Sequence, residues 1–193
     1  MSAHPFHARL PLRFVRHGAT AANLAGLRCG GDLDVPLVER GREQAEVAAR
    51  HIARLEPAVG LIVTSDLART RETAAIIARA LPAVQVLVEP GFGERRLGAW
   101  NLQPIEATQP LFEARLTPPG GESDDQFISR VAAALRRVKT YLPQRPLLVG
   151  SKGVARAMGE LIGLQQRLDL ENAMVTEFDF ARRPCLQTEW SML

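Results

Sequence analysis

Cysteine, lysine and aromatic side chains are scarce in this 193-residue chain, and each scarcity removes a class of explanation. Two cysteines, Cys29 and Cys185, do not make a disulfide framework. Neither they nor the four histidines show paired metal-ligand spacing beyond His4-x-x-His7 at the extreme start, so no metal and no other cofactor is expected. Val35 stands six residues after Cys29 where a cysteine-phosphatase loop needs arginine. No Gly-x-x-x-x-Gly-Lys-Ser/Thr segment occurs, and Gly91-x-Gly93 is followed by Arg96 where a third glycine would be needed, so nucleotide loops are not indicated. Asp32-Leu33-Asp34 follows Cys29-Gly30-Gly31 and not a strand, which makes it a turn. Without a long apolar run or a signal-peptide pattern over Met1 to Leu12, a soluble, cytoplasmic protein with no membrane partner is expected. Aromatics make up only 5%, which predicts an aliphatic core, and no basic run with interleaved aromatics suggests a nucleic-acid partner.

What is present is a mild basic excess, net +3 with a pI near 9.4, which suits a small anionic ligand. At 46% hydrophobic, the chain can bury one substantial core. The pattern predicts a flexible leader over 1–11 and a single domain over 12–193. Strands are expected near 12–15, 59–64, 84–88, 146–150, 174–180 and 185–190. Helices are expected from Gly41 to before Pro57, near 66–80, near 124–142 and over 153–163. Strands alternating with helices imply an α/β three-layer sandwich, a mostly parallel sheet flanked by helices. Between 91 and 122 the prolines and glycines break the pattern, as in a segment that covers an active site. Ser123 or Asp124 would cap the helix that follows.

Four segments carry the chemistry. The apolar run Leu12-Arg13-Phe14-Val15 ends in Arg16-His17-Gly18, with Thr20 and Asn23 beyond it. In an open α/β sheet this places an imidazole beside a guanidinium at the carboxyl end of a strand, where ligands bind. A neutral imidazole is a competent nucleophile near pH 7, and the fixed cation can neutralise phosphate oxygens. Leu61-Ile62-Val63-Thr64 leads into a helix whose first turn holds Arg69, with Ser65 and Asp66 as candidate caps, so backbone N–H groups and the dipole there also favour an anion. Glu94, before Gly98-x-Trp100, can protonate an alkoxide leaving group and later activate water. Arg95 and Arg96 beside it favour its ionised form. Leu147-Leu148-Val149-Gly150 runs into Ser151-Lys152-Gly153-Val154-Ala155-Arg156, which brings a hydroxyl and one of only two lysines to another strand end.

In this order, Arg-His-Gly-x-Thr-x-x-Asn, Ser-x-Leu-x-Arg-x-x-x-Thr-Ala and the Glu94 segment resemble the histidine phosphatase, or phosphoglycerate mutase-like, superfamily. The resemblance implies a phosphoglycerate mutase-like fold and metal-independent hydrolysis of a small phosphorylated substrate. His17 would carry the phosphoryl group, Arg16 and Arg69 would clamp it, Asn23 would be a secondary contact, and Glu94 would be the acid/base. Counting back from Gly153-Val154-x-Arg156, the family's second histidine aligns with Ser151, so Ser151 and Lys152 would stand in for it. The alternative is a non-catalytic phospholigand-binding or regulatory protein on the same fold; a scaffold role comes third. The short 91–122 segment favours a phosphatase over a mutase, which must exclude water from its intermediate.

Overall fold

The computed structural model describes residues 12–164 and 168–179. The leader, Cys185 and the strand expected over 185–190 lie outside the described residues. Five strands form one sheet in the order β3-β2-β4-β1-β5: β1 (Leu12–Arg16), β2 (Leu61–Thr64), β3 (Gln85–Val88), β4 (Pro146–Gly150) and β5 (Val175–Phe178). The first four are parallel, and β5 joins the edge antiparallel to β1.

β1, β2 and β4 are buried almost throughout because both faces of the sheet are covered, and alternation shares their side chains between two cores. Leu12, Phe14, Leu61, Val63 and Leu148 pack under α5 (Asp124–Val138) and α6 (Lys152–Leu161). Val15, Ile62, Leu147 and Val149 pack under α2 (Glu39–Ile52) and α3 (Ala68–Arg79). The first core is less aliphatic than the composition suggests. Phe14, Phe92, Phe127 and Phe178 all lie in it, and Phe14 meets Phe178 edge-on at 5.9 Å.

Several boundaries differ from the sequence reading, each for a local reason. Helix α2 begins at Glu39, two residues before Gly41, with Val38 at its N-cap. Helix α3 is capped neither by Ser65 nor by Asp66. Leu67 is the N-cap residue, and the Ala68 N–H is taken by the Asp34 carboxylate at 2.7 Å, a partner from a distant loop. Ser65 instead bonds Thr70 Oγ1 at 2.6 Å. Helix α5 stops at Val138 and tightens into a 3-10 segment, Lys139–Gln144, that contains Pro143. Ser123 does cap it, with Gln126 completing the capping box.

Two helices went unforeseen. The short α1 (Ala21–Leu24) is capped by Thr20, whose backbone N–H donates in return to the Asn23 side chain. In the segment read as irregular, α4 (Ile105–Glu113) forms despite Pro104 and Pro110. Pro104 sits at the N-cap, where no N–H is needed, and Pro110 lies inside the helix.

Candidate active site

The carboxyl ends of β1, β2 and β4 converge on a cavity of about 110 Å³ lined by Arg16, His17, Asn23, Arg69, Glu94 and Lys152, among others. Its basic lining residues are Arg16, Arg28, Arg69, Arg95, Lys152 and Arg156, against a single acidic one, Glu94. Ser151, which is not among the lining residues, is buried at the N-cap of α6.

His17 leaves the sheet as β1 ends, its N–H donating to Gly150 O of β4 at 2.9 Å. The ring is 4% exposed. Its Nδ1 lies 2.7 Å from Gly18 O, and because a carbonyl can only accept, Nδ1 carries the proton. The lone pair is therefore on Nε2. Burial holds the imidazole well below its usual pKa, and the Arg69 and Arg16 charges push the same way. The ring is thus kept neutral and nucleophilic.

Gly18 is required because α2 crosses at van der Waals distance: a Cβ there would lie 2.1 Å from Gly41 O. Thr73, the threonine four residues after Arg69, accepts from Gly18 N–H at 3.1 Å and donates to Arg69 O, so α3 holds the loop of His17. Asn172 ties the loop from the other side, donating to His17 O at 2.9 Å and to Asn23 Oδ1 at 3.2 Å. Asn23 lines the cavity, but its oxygen is spent on Thr20 and Asn172.

The two arginines are held differently. Arg69 is 1% exposed, and two of its five N–H groups donate to Leu33 O and Gly30 O. Arg16 donates through Nη1 to Leu170 O at 2.6 Å, while its Nε is buried without a partner. Burial lowers the Arg16 pKa, opposed by Glu94 and Asp169 and helped by Arg156 and Arg69. Ser151 Oγ is likewise buried without a partner. Arg16 pairs with Gly150 in the β1–β4 register, so the two unsatisfied donors head neighbouring strand ends. A buried donor without a partner is costly and rare, and these two stand at neighbouring strand ends.

Glu94 accepts from Arg95 N–H through Oε1 and from Gly153 N–H, at the start of α6, through Oε2. Gly153 has to be glycine, since a Cβ would lie 2.0 Å from Glu94 Oε1. The side chain of Arg95 turns away to Glu122 O, Leu116 O and the Asp124 carboxylate. Lys152 lines the cavity with its ammonium ion-paired to Asp169.

Sequence reasoning missed Asp169, Leu170 and Asn172, which sit in a stretch with no motif and act partly through backbone. Arg156 was visible, inside the segment used to align Ser151. Among the described residues no group of three or more His, Cys, Asp or Glu is placed to hold a metal, and no helix is long and apolar enough to cross a membrane.

A mostly parallel sheet with a buried neutral histidine between arginines at its carboxyl edge defines a protein of the phosphatase and mutase type of phosphoryl transfer. The chain belongs to the histidine phosphatase superfamily, whose branch 1 matches residues 12–191. The probable phosphoglycerate mutase GpmB of Photorhabdus laumondii subsp. laumondii is 34% identical over 198 residues, 94% of this chain and 90% of the relative. Among solved structures, a phosphoglycerate mutase from Thermus thermophilus superposes with a TM-score of 0.72 at 27% identity, covering 90% of this chain and 95% of the other. A mycobacterial glucosyl-3-phosphoglycerate phosphatase solved in complex with VO3 gives 0.71 at 29% identity, covering 86% and 91%.

Proposed function

We propose that this protein hydrolyses phosphomonoesters without a metal, through a phosphohistidine at His17. The observation that carries the reading is the ring's hydrogen bond: with Nδ1–H given to Gly18 O, the lone pair of a buried, neutral Nε2 borders a cavity lined by six basic residues and one acid. Nε2 would attack phosphorus as the ester P–O bond breaks and Glu94 gives its proton to the departing alkoxide. Glu94, now a carboxylate, would take a proton from water as that water attacks the phosphohistidine, releasing phosphate and restoring His17 and the acid. Arg16 Nε, Arg69 and Ser151 Oγ would donate to the phosphoryl oxygens where charge gathers. Lys152 adds positive charge from the start of α6, shared with Asp169.

Ser151 supports a second reading. If the family's second histidine aligns with it, one donor of the usual set is changed, and loss of one such donor costs about 10²–10³ in rate. A phospholigand-binding protein that has lost turnover is consistent with that. The two readings part in one assay, hydrolysis of an aryl phosphate in EDTA beside His17→Ala. The proposal expects turnover that falls by about 10³ or more in the variant. Equal inertness of both, with inorganic phosphate still bound, selects the binding protein.

A further inference from the structure

Beside the phosphoryl cavity lies a second one of about 400 Å³, between α4, α5, α6 and the segment after α6. The two share Glu94, Arg95, Phe112, Gly153 and Arg156. The smaller space accommodates little beyond a phosphoryl group, whereas the larger falls within the roughly 300–1,000 Å³ typical of small-molecule sites. If Glu94 protonates the leaving oxygen, the rest of the alcohol extends into the larger cavity.

Its lining states which alcohol fits. Phe112, Phe127, Ile128, Ala157, Leu164 and Leu168 supply its apolar surface. Its three arginines face four acids, Glu94, Glu113, Asp124 and Glu160. Each arginine already has an acidic partner: Arg95 with Asp124, Arg115 with Glu160 at 2.6 Å, and Arg156 with Asp169 at 3.9 Å. A substrate carboxylate would have to break one of these pairs while approaching the remaining acids. An uncharged carbon-rich body meets no such barrier.

We infer that this cavity is the leaving-group site and that the preferred substrates are monophosphates of uncharged, apolar alcohols, not phosphoglycerates. This rests on the hydrolysis reading for the position of the leaving oxygen, but its test is a binding preference. Calorimetry on the His17→Ala protein, which cannot form the phosphohistidine, compares 1-naphthyl phosphate with 3-phosphoglycerate. Discrimination by unmatched charge and apolar fit predicts naphthyl phosphate bound tighter by about thirtyfold or more. Ile128→Trp and, at the exposed lip, Leu164→Trp in the same background narrow the cavity. They should weaken naphthyl phosphate about tenfold while inorganic phosphate binds as before.

Equal or tighter binding of 3-phosphoglycerate overturns the inference. So does loss of naphthyl phosphate and inorganic phosphate in step in both tryptophan variants. Inert wild-type protein on every ester would end the hydrolysis reading, and the calorimetric preference would still decide this one.

Discussion

The two adjoining cavities meet at Glu94 and differ in their balance of charge. The smaller one is lined by six basic side chains and one acid; Arg95, Lys152 and Arg156 are ion-paired with Asp124 and Asp169, whereas Arg16 Nε, and Ser151 Oγ at the next strand end, are buried without hydrogen-bond partners. The larger one is close to balanced, and each of its arginines is matched to an acid. Within a folded chain buried donors are normally satisfied, and these two support the proposed phosphoryl site. Balanced charge over apolar walls is what the inferred uncharged leaving group would need. The proposed substrate would answer both, with an anion at one end and an uncharged carbon frame at the other.

Glu94 at the boundary offers the sharpest way to break the comparison. Glu94→Gln keeps the side chain's length but has no proton to give. For alkyl phosphates, whose alkoxides leave poorly, kcat/KM should fall by about 10²–10⁴. For 4-nitrophenyl phosphate, whose leaving group needs no proton, the fall should be much smaller. Equal slowing of both esters would show that Glu94 only holds α6 through Gly153 N–H.

Next in size come the arginines. If the proposed phosphoryl site is right, Arg16→Ala and Arg69→Ala each remove a donor to developing phosphoryl charge and should lose about 10²–10³ in kcat/KM. Urea unfolding separates them: Arg69→Ala also strips partners from Leu33 O and Gly30 O, and should cost about 1–3 kcal/mol of stability. Arg115→Ala, in the larger cavity, removes a charge already spent on Glu160 and should reduce turnover of a neutral aryl phosphate by less than about tenfold. Losses of similar size at all three positions would erase the distinction between the cavities.

The smaller cavity was far more legible in the sequence than the larger. Arg16, His17, Arg69 and Glu94 stand at strand ends and in a helix's first turn, where short-range pattern and a known motif coincide. Thr73 and Gly18 were quoted in those motifs, but their reason, an α3-to-loop hydrogen bond and a close crossing of α2, exists only in three dimensions. The cap of α3 is not legible locally because Asp34 supplies it from a loop 34 residues earlier, and no local signal marks so distant an acceptor. Apart from Glu94, Arg95, Gly153 and Arg156, which it shares with the smaller one, the larger cavity is lined by residues of stretches that alone look like ordinary amphipathic helix or loop. Helix α4 was hidden by its own prolines, and with it went Phe112 and Glu113.

The smallest effect concerns proton uptake, and it tests whether the smaller cavity's positive field is felt by His17. His17 is buried with its pKa pushed well down, first by desolvation and then by Arg69 and Arg16. The unfolded chain protonates this histidine near pH 6.5, whereas the folded chain resists. Between the depressed folded pKa and about 6.5 the unfolded state therefore holds the extra proton, so stability falls as pH falls, by at most about 1.4 kcal/mol per pH unit. Above pH 6.5 or so this contribution is fully present. The carboxylates with lowered pKa, Asp32, Glu89, Glu122 and Asp169, lose their stabilisation only further down, as pH passes through the unfolded carboxylate range near 4. Urea unfolding between about pH 5 and 6.5 thus isolates the histidine: wild type should weaken across that window more steeply than His17→Ala. Saturating inorganic phosphate should flatten the wild-type slope only in part, because the anion offsets the two arginines but leaves the ring buried. Identical slopes for wild type and variant would mean that the ring is not held neutral, and the smaller cavity would lose its claim to a poised nucleophile.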